Sequence, residues 1–267
     1  MATPIGNLDD LSARARKILD SVALIAAEDT RRCGKLLAHI GIDKELLALH
    51  EHNEDERAER VLAVLAAGHD VALVSDAGTP LISDPGLHLV QAAGAAGIDV
   101  VPVPGPSAVT AALSVAGLAT DRFAFEGFLP RRPAQRQARL QELATEARTL
   151  VFFESVHRIE AGLRDMVGAF GAERPAAIAR EITKLHEQVA RGTLDDLLGA
   201  IGNEIPMRGE FVVIVSGADA PAGADDAELK RVYGLLVAEM PPGKAVALAA
   251  KICGRSRNEV YALTRAS

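Results

Sequence analysis

Two proline- and glycine-rich loops, each following a short apolar run in the first half of the chain, constrain the fold more than any other feature. The first run, Val71-Ala72-Leu73-Val74, stops at Ser75-Asp76-Ala77-Gly78-Thr79-Pro80-Leu81-Ile82-Ser83-Asp84-Pro85-Gly86. The second, Val100-Val101-Pro102-Val103, stops at Pro104-Gly105-Pro106-Ser107-Ala108. β-Branched runs that end at Gly/Pro/Ser/Asp clusters predict buried strands feeding turns. Apolar helical patterns follow, from Leu87 to Ala96 and from Val109 to Val115. Strand-loop-helix units place their loops at the carboxyl ends of parallel strands, where open α/β sheets bind ligands. Glycine lets the backbone come close to a ligand, and proline stiffens the loop beforehand. Either loop alone could be an ordinary strand-to-helix turn. Two at this spacing point to a binding cleft.

The length of 267 residues suits one large or two medium domains, and with 49% apolar residues the chain is globular. The two cysteines, Cys33 and Cys253, have no metal-ligand spacing, so reduced thiols in a cytoplasmic protein are expected. No apolar stretch reaches the ~18 residues of a membrane span. No basic-then-apolar leader opens the chain, so no export signal is expected.

The net charge of −7 argues against a general nucleic-acid-coating protein. It is unevenly spread, however. Residues 230–267 carry seven basic and two acidic side chains, so that tail is +5 and the remainder −12. A basic patch on an acidic protein fits a selective polyanion contact.

Patterning divides the chain into an N-terminal α/β segment (1–118), a second α/β segment (119–217), a linker (218–227) and a helical segment (228–267). A helical face recurs between Arg57 and Ala67. In the second segment, strands are expected at 122–125, 149–153, 176–179 and 210–215. Helices are expected between them, at roughly 134–147, 158–170 and 194–201. Residues 217–226 are rich in Ala, Gly, Asp and Pro and lack periodicity. In the last segment, Lys244 to Cys253 forms a small-residue helix. Gly254 stops it, Ser256 caps the next helix, and Asn258 to Thr264 continues it. This pattern fits a helix-turn-helix with Val260 as the apolar contact, and equally a plain helical hairpin.

Longer strings appear in order along the chain. They are Ala2-Thr3-Pro4-Ile5-Gly6-Asn7-Leu8-Asp9-Asp10, Ala26-Ala27-Glu28-Asp29-Thr30-Arg31, Ser75 to Gly86, Pro104 to Ala108, and Phe125 to Arg131. Phe152 to Arg158, Arg180 to Glu187, and Gly209-Glu210-Phe211 follow. Together they resemble the bacterial 16S ribosomal RNA (cytidine-2′-O)-methyltransferases, in the tetrapyrrole-methylase-like class of S-adenosylmethionine methyltransferases. The resemblance covers nearly the whole chain. It implies two α/β domains with the methyl donor in the cleft between them, a homodimer, no metal, and 16S ribosomal RNA of the small subunit as substrate. It also implies an apolar strand ahead of the Ala2–Asn7 loop. Here Met1 stands directly before Ala2, so that first strand is expected to be missing.

Methyl transfer to a ribose hydroxyl needs aligned reactants and a proton acceptor. Asp76, Ala77, Gly78, Thr79, Ser107, Ala108, Phe153 and Glu154 are expected at the donor, with Gly6 opposite. Ser107 could equally be a helix N-cap. Candidate bases are Lys184, Glu181 and Asp29, together with Glu28, Asp76 and Glu187. A lysine with a depressed pKa could accept the proton; a mutual ion pair of Lys184 with Glu181 and Glu187 is the alternative. Arg31, Arg131, Arg132, Arg136, His157, Arg158, Arg255 and Arg257 are candidate RNA contacts, beside Arg32 and Arg139. Arg132, Arg136 and Arg139 could instead be a solvated helix face. With seven Phe, two Tyr and no Trp, base stacking cannot dominate recognition. A tetrapyrrole C-methyltransferase is the alternative activity. A nucleic-acid-binding regulator that keeps the fold as a ligand sensor is the alternative class.

Overall fold

Strand β1 (Leu24–Ala27) has all four side chains buried and lies between β2 (Leu46–Ala48) and β3 (Val71–Val74), parallel to both. This is why it reads as an unbroken apolar run and not as an alternation. Its two faces serve different cores. Ile25 and Ala27 pack with Leu19, Val22 and Leu37, while Leu24 and Ala26 pack with Leu47, Val61 and Leu89. The period of two follows from the alternating Cβ directions of a strand. The computed structural model describes residues 1–50, 53–218 and 226–265.

Helices α1 (Ala13–Ser21), α2 (Thr30–Ile40), α3 (Glu54–Ala66), α4 (Leu87–Ala95) and α5 (Ala108–Ala116) complete this half. Their ends are set locally. The Ser12 hydroxyl accepts from the Ala15 amide at 3.0 Å, and the Asp29 carboxylate accepts from the Arg31 amide at 2.8 Å. Gly117 closes α5 in a left-handed conformation, φ +73°.

The second sheet runs β4-β5-β8-β6-β7, formed by β4 (Phe123–Phe128), β5 (Thr149–Ser155), β6 (Pro175–Arg180), β7 (Gln188–Thr193) and β8 (Glu210–Val215). Only β4 and β5 pair in parallel; the other neighbours are antiparallel. Helices α6 (Pro133–Leu143), α7 (Ile159–Phe170) and α8 (Leu194–Ala200) cover one face around Phe152, Leu163 and Phe211. The other face receives α5, whose Val109, Ala112 and Leu113 pack on Val151, Ala177 and Ile214. A helix that follows the first sheet thus builds the core of the second. Residues 1–144 and 148–216 form one compact unit.

Residues 1–3 thread between the two loops. Thr3 and Gly78 exchange backbone hydrogen bonds at 2.9 and 3.0 Å, the Met1 amino group donates to the Leu73 carbonyl at 2.8 Å, and the Ala2 amide donates to the Val103 carbonyl at 3.1 Å. The run Val100–Val103 is not a strand, and Val100 and Val101 are 53% and 66% exposed. The expected buried strand fails because Pro102, Pro104 and Pro106 alternate. They strip every amide donor from one edge of the segment. The sequence pattern also passes over β7, whose run Gln188–Thr193 lacks an apolar alternation.

The second unit (145–147 and 217–267) contains α9 (Asp226–Glu239), α10 (Pro242–Ile252) and α11 (Arg257–Arg265), packed around Leu229, Val246, Ala249 and Val260. Gly254 makes the turn at φ +62°. Ser256 and Glu259 form a reciprocal capping pair: the Glu259 amide donates to Ser256 Oγ at 3.2 Å and the Ser256 amide to the Glu259 carboxylate at 2.7 Å. Of the linker expected at 218–227, residues 219–225 lie outside the described residues, and Asp226 and Ala227 open α9.

Candidate functional site

A cavity of about 430 Å³ lies between the two sheets of the first unit. Ile5, Glu28, Arg32, residues 76–79 and 82–84, Ser107 and Ala108 line it from the first half. Phe128, residues 153–156, Ala179, Ile182, Lys184 and residues 209–212 line it from the second. Its volume falls in the range of small-molecule sites.

Eight of the nine residues expected at the donor line this cavity: Asp76, Ala77, Gly78, Thr79, Ser107, Ala108, Phe153 and Glu154. Gly78 has φ +80°, and a Cβ there would stand 3.3 Å from Ile5 Cγ2, itself part of the wall. Ser107 occupies the N-cap position of α5 but makes no side-chain capping bond. Gly6 does not line the cavity. It is pressed against the neighbouring loop, where a Cβ would meet Lys184 Cγ at 2.5 Å and Thr183 Oγ1 at 2.7 Å. The sequence reading passed over Ile82, Ser83, Asp84, Phe128 and Ile182, whose only prior signal was membership of the motif strings or their neighbours.

The segment 181–187 is a turn, with Glu181 and Thr183 at φ +50° and +64°. The helical spacing assumed for it therefore does not hold. Lys184 Nζ still pairs with Glu181 at 2.8 Å, but its second partner is Glu210 at 2.8 Å, from β8. Glu187 instead accepts the Thr183 amide at 2.6 Å. Burial alone would lower the Lys184 pKa, but the two carboxylate hydrogen bonds outweigh it and raise the pKa. The amine is held as a cation, opposite to the depressed lysine considered from sequence. Asp29 does not line the cavity. It caps α2, and the Arg31 fork at 2.7 and 3.0 Å holds its carboxyl well below the usual carboxylate range.

The acids in the wall are mostly engaged. Asp76 accepts from the Asp29 amide at 2.9 Å and pairs with Arg32 at 3.3 Å. Glu28 accepts from the Asp76 amide at 3.2 Å. Glu154 is 3% exposed and takes the Arg158 guanidinium at 2.9 and 3.0 Å. Asp84 is different. Burial pushes its pKa up to about 6; a Ser75 hydrogen bond opposes the shift, while the nearby Glu28 and Asp76 charges add to it.

The candidate RNA contacts separate by environment. Arg131 and Arg132 are exposed at the start of α6 with no ion pair among the described residues. His157 and Arg257 are also exposed. Arg136 is 7% exposed and pairs with Asp165 at 2.6 Å, so it is not part of a solvated face. Arg139 holds Glu126 and Glu142 at 2.7 and 2.8 Å. Arg158 braces Glu154 and donates to the Leu129 carbonyl at 2.7 Å. Arg255 pairs with Glu259 and Asp226, at 3.0 and 3.3 Å.

A three-stranded parallel sheet joined to a five-stranded mixed sheet, with a cavity between Pro-Gly loops, is the architecture of a methylase. Residues 2–198 match the tetrapyrrole (corrin/porphyrin) methylase family, to which the chain belongs. The uroporphyrin-III C-methyltransferase of Thermus thermophilus, solved with S-adenosylhomocysteine, shares this fold at 18% identity. The match has a TM-score of 0.55 and covers 81% of this chain and 95% of that one.

Within that class the chain belongs to the ribosomal RNA small subunit methyltransferase I family. It is 55% identical to the Xylella fastidiosa (strain Temecula1) member over 98% of this chain and 96% of that protein. It is 53% identical to the Pseudomonas aeruginosa member over 98% and 94%. Residues 223–265 match the family's C-terminal helix-turn-helix domain, one of the two forms the helical segment allowed.

Proposed function

We propose that this chain transfers a methyl group from S-adenosylmethionine to the ribose 2′-hydroxyl of a cytidine in 16S ribosomal RNA, acting on the small subunit as a cytoplasmic homodimer. The observation that carries this reading is the likeness to ribosomal RNA small subunit methyltransferases I along nearly the whole chain. The rival tetrapyrrole substrate rests on neighbours that share the fold at low identity.

The cavity fits the donor on its own terms. Gly78, Ser107 and Ala108 keep side chains small where a ligand would lie against backbone, and Ile5, Phe153 and Val212 supply apolar walls. Glu28, Asp76, Asp84, Glu154 and Glu210 outnumber Arg32 and Lys184 around it. Such a lining favours a cationic sulfonium over an anion. When bound, the donor supplies an electrophilic methyl group.

The residues of the chain have separate tasks. The loops 76–79 and 107–108 fix the donor, and the Thr3–Gly78 pairing holds the first loop in place. Phe128 and Phe153 stack edge to face at 5.6 Å and present aromatic surface to the wall. Lys184, kept cationic, is placed to attract a phosphate or the acceptor oxygen as charge develops on it. Arg131, Arg132, His157 and Arg257 offer exposed surface for RNA phosphates. Positioning of this kind can contribute up to about 7–11 kcal/mol to such displacements.

The test is to map 2′-O-methylation on 16S ribosomal RNA from a deletion strain, with and without the restored gene. Loss and recovery of one modified cytidine is expected. An unchanged methylation map would overturn the reading.

A further inference from the structure

Methylation of a hydroxyl requires somewhere for its proton to go, and the sequence motifs name no unambiguous acceptor. The ionisable groups of the cavity can be sorted by their partners. Arg32 carries a guanidinium and cannot accept a proton at neutral pH. Lys184 is held as a cation by Glu181 and Glu210. Glu154 is committed to Arg158, Asp76 to Arg32 and the Asp29 amide, Glu210 to Lys184, and Glu28 accepts from the Asp76 amide. An acid stabilised as a carboxylate by a cation is a weak base.

Asp84 is placed differently. It lies in the cavity wall, half-buried, with no ion pair among the described residues. The groups around it are the Ser75 hydroxyl and the carboxylates of Asp76 and Glu28. Arg32, on α2, is turned to Asp76. From β4, Gly127 approaches Ser83 closely, and the adjacent Glu126 is held by Arg139. Among the described residues no cation therefore faces Asp84.

The backbone that carries it is strained. Leu81 and Ser83 have φ +72° and +66° without being glycine, and Gly86 has φ +123°. Left-handed non-glycine residues are costly, and such outliers cluster where a loop must aim a group.

We propose that Asp84 accepts the proton of the acceptor hydroxyl, presented for that purpose by the strained loop 79–86. This rests on the ribose-methylation reading above. In the step, the O–H bond breaks and its proton passes to the Asp84 carboxylate. The oxygen lone pair forms the new O–CH3 bond as the S–CH3 bond breaks, its electron pair remaining on sulfur. The resulting carboxylic acid releases the proton to water after the product leaves, which restores the carboxylate.

The experiment uses the full-length protein in two arms. In the first, carboxyl-labelled aspartate NMR follows Asp84 in donor-free protein. A midpoint near 6 is expected; one near the ordinary value of about 4 would overturn the proposal. In the second, Asp84→Asn and Asp84→Ser are compared with the parent protein on small subunits from a deletion strain, with donor affinity measured by calorimetry. Both variants should lose about 100-fold or more in kcat, with any loss of donor affinity no more than a few-fold. The parent's rate should fall below pH about 6, and the variants should lose that dependence. Variants with the parent's rate, or with its acid limb, would overturn the proposal alone. If the parent protein methylates no 2′-hydroxyl, the functional reading has failed and the proposal falls with it.

Discussion

The Arg158 guanidinium, at the N-cap of α7, grips the carboxylate of Glu154, a cavity-lining residue of β5, at 2.9 and 3.0 Å. Glu154 is almost fully buried. Removing its partner would strand a charge that water cannot reach. Arg158→Ala should therefore destabilise the protein by about 3–5 kcal/mol, read by urea unfolding. The RNA affinity of the protein that remains folded should change little. A stable variant with weakened RNA binding would return Arg158 to the RNA surface.

The arginines of α6 should divide into two kinds. Arg131→Ala with Arg132→Ala should raise KM for RNA more than it lowers kcat, because exposed phosphate contacts bind ground and transition states alike. The salt dependence of binding should flatten by about 1–2 in log-log slope. Arg136→Ala, which breaks the buried Asp165 pair, should instead cost stability, and equal melting temperatures for it and the parent would contradict the pairing.

Gly78→Val places a β-branched residue at φ +80° and pushes its Cβ toward Ile5. Donor affinity should drop at least tenfold, and stability should fall by about 1–2 kcal/mol from the backbone strain. Calorimetry and thermal melting on the soluble variant check both. Unchanged affinity would remove the first loop from the donor site.

Asp84 makes a prediction that needs no activity. With a folded pKa near 6 and an unfolded value near 4, the folded state holds a proton through that window while the unfolded state has released it. Stability from this group is thus lost as pH rises from about 4 to about 6 and stays lost above. Asp84→Asn, always neutral, should be more stable than the parent at pH 8, by roughly 1–3 kcal/mol, with the difference closing near pH 4. Melting curves at both pH values decide it, and a pH-independent difference would sink the idea.

Deleting residues 219–267 removes helices α9–α11 together with their own core of Leu229, Val246 and Val260. The first unit should keep its fold and donor affinity and bind RNA more weakly, with a shallower salt dependence. Full-rate methylation of small subunits by the truncated protein would make the helical segment dispensable.

The strands at 71–74, 123–128, 149–155, 175–180 and 210–215, the Pro-Gly loops and the capping of α11 by Ser256 were legible from the chain alone. Each is governed by neighbours within a few residues: side-chain alternation, turn chemistry and end-capping act over one turn or one strand. The loop residues that line the cavity were legible for the same reason, since glycine and proline report local backbone demands. Local alternation failed at 100–103, where alternating prolines cancelled a ladder edge, and at β7, where pairing with β6 holds a run with no apolar pattern.

Charge partners and proton affinities were decided by tertiary structure. Asp29 meets Asp76 across 47 residues, Lys184 meets Glu210 across 26, and Asn7 donates to Thr183 across 176. Those meetings turned Lys184 into a fixed cation, took Arg136 and Arg158 out of solvent, and left Asp84 beside two carboxylates without a cation. Electrostatic energy depends on distance and on the surrounding medium, and neither follows from sequence separation until the chain has packed.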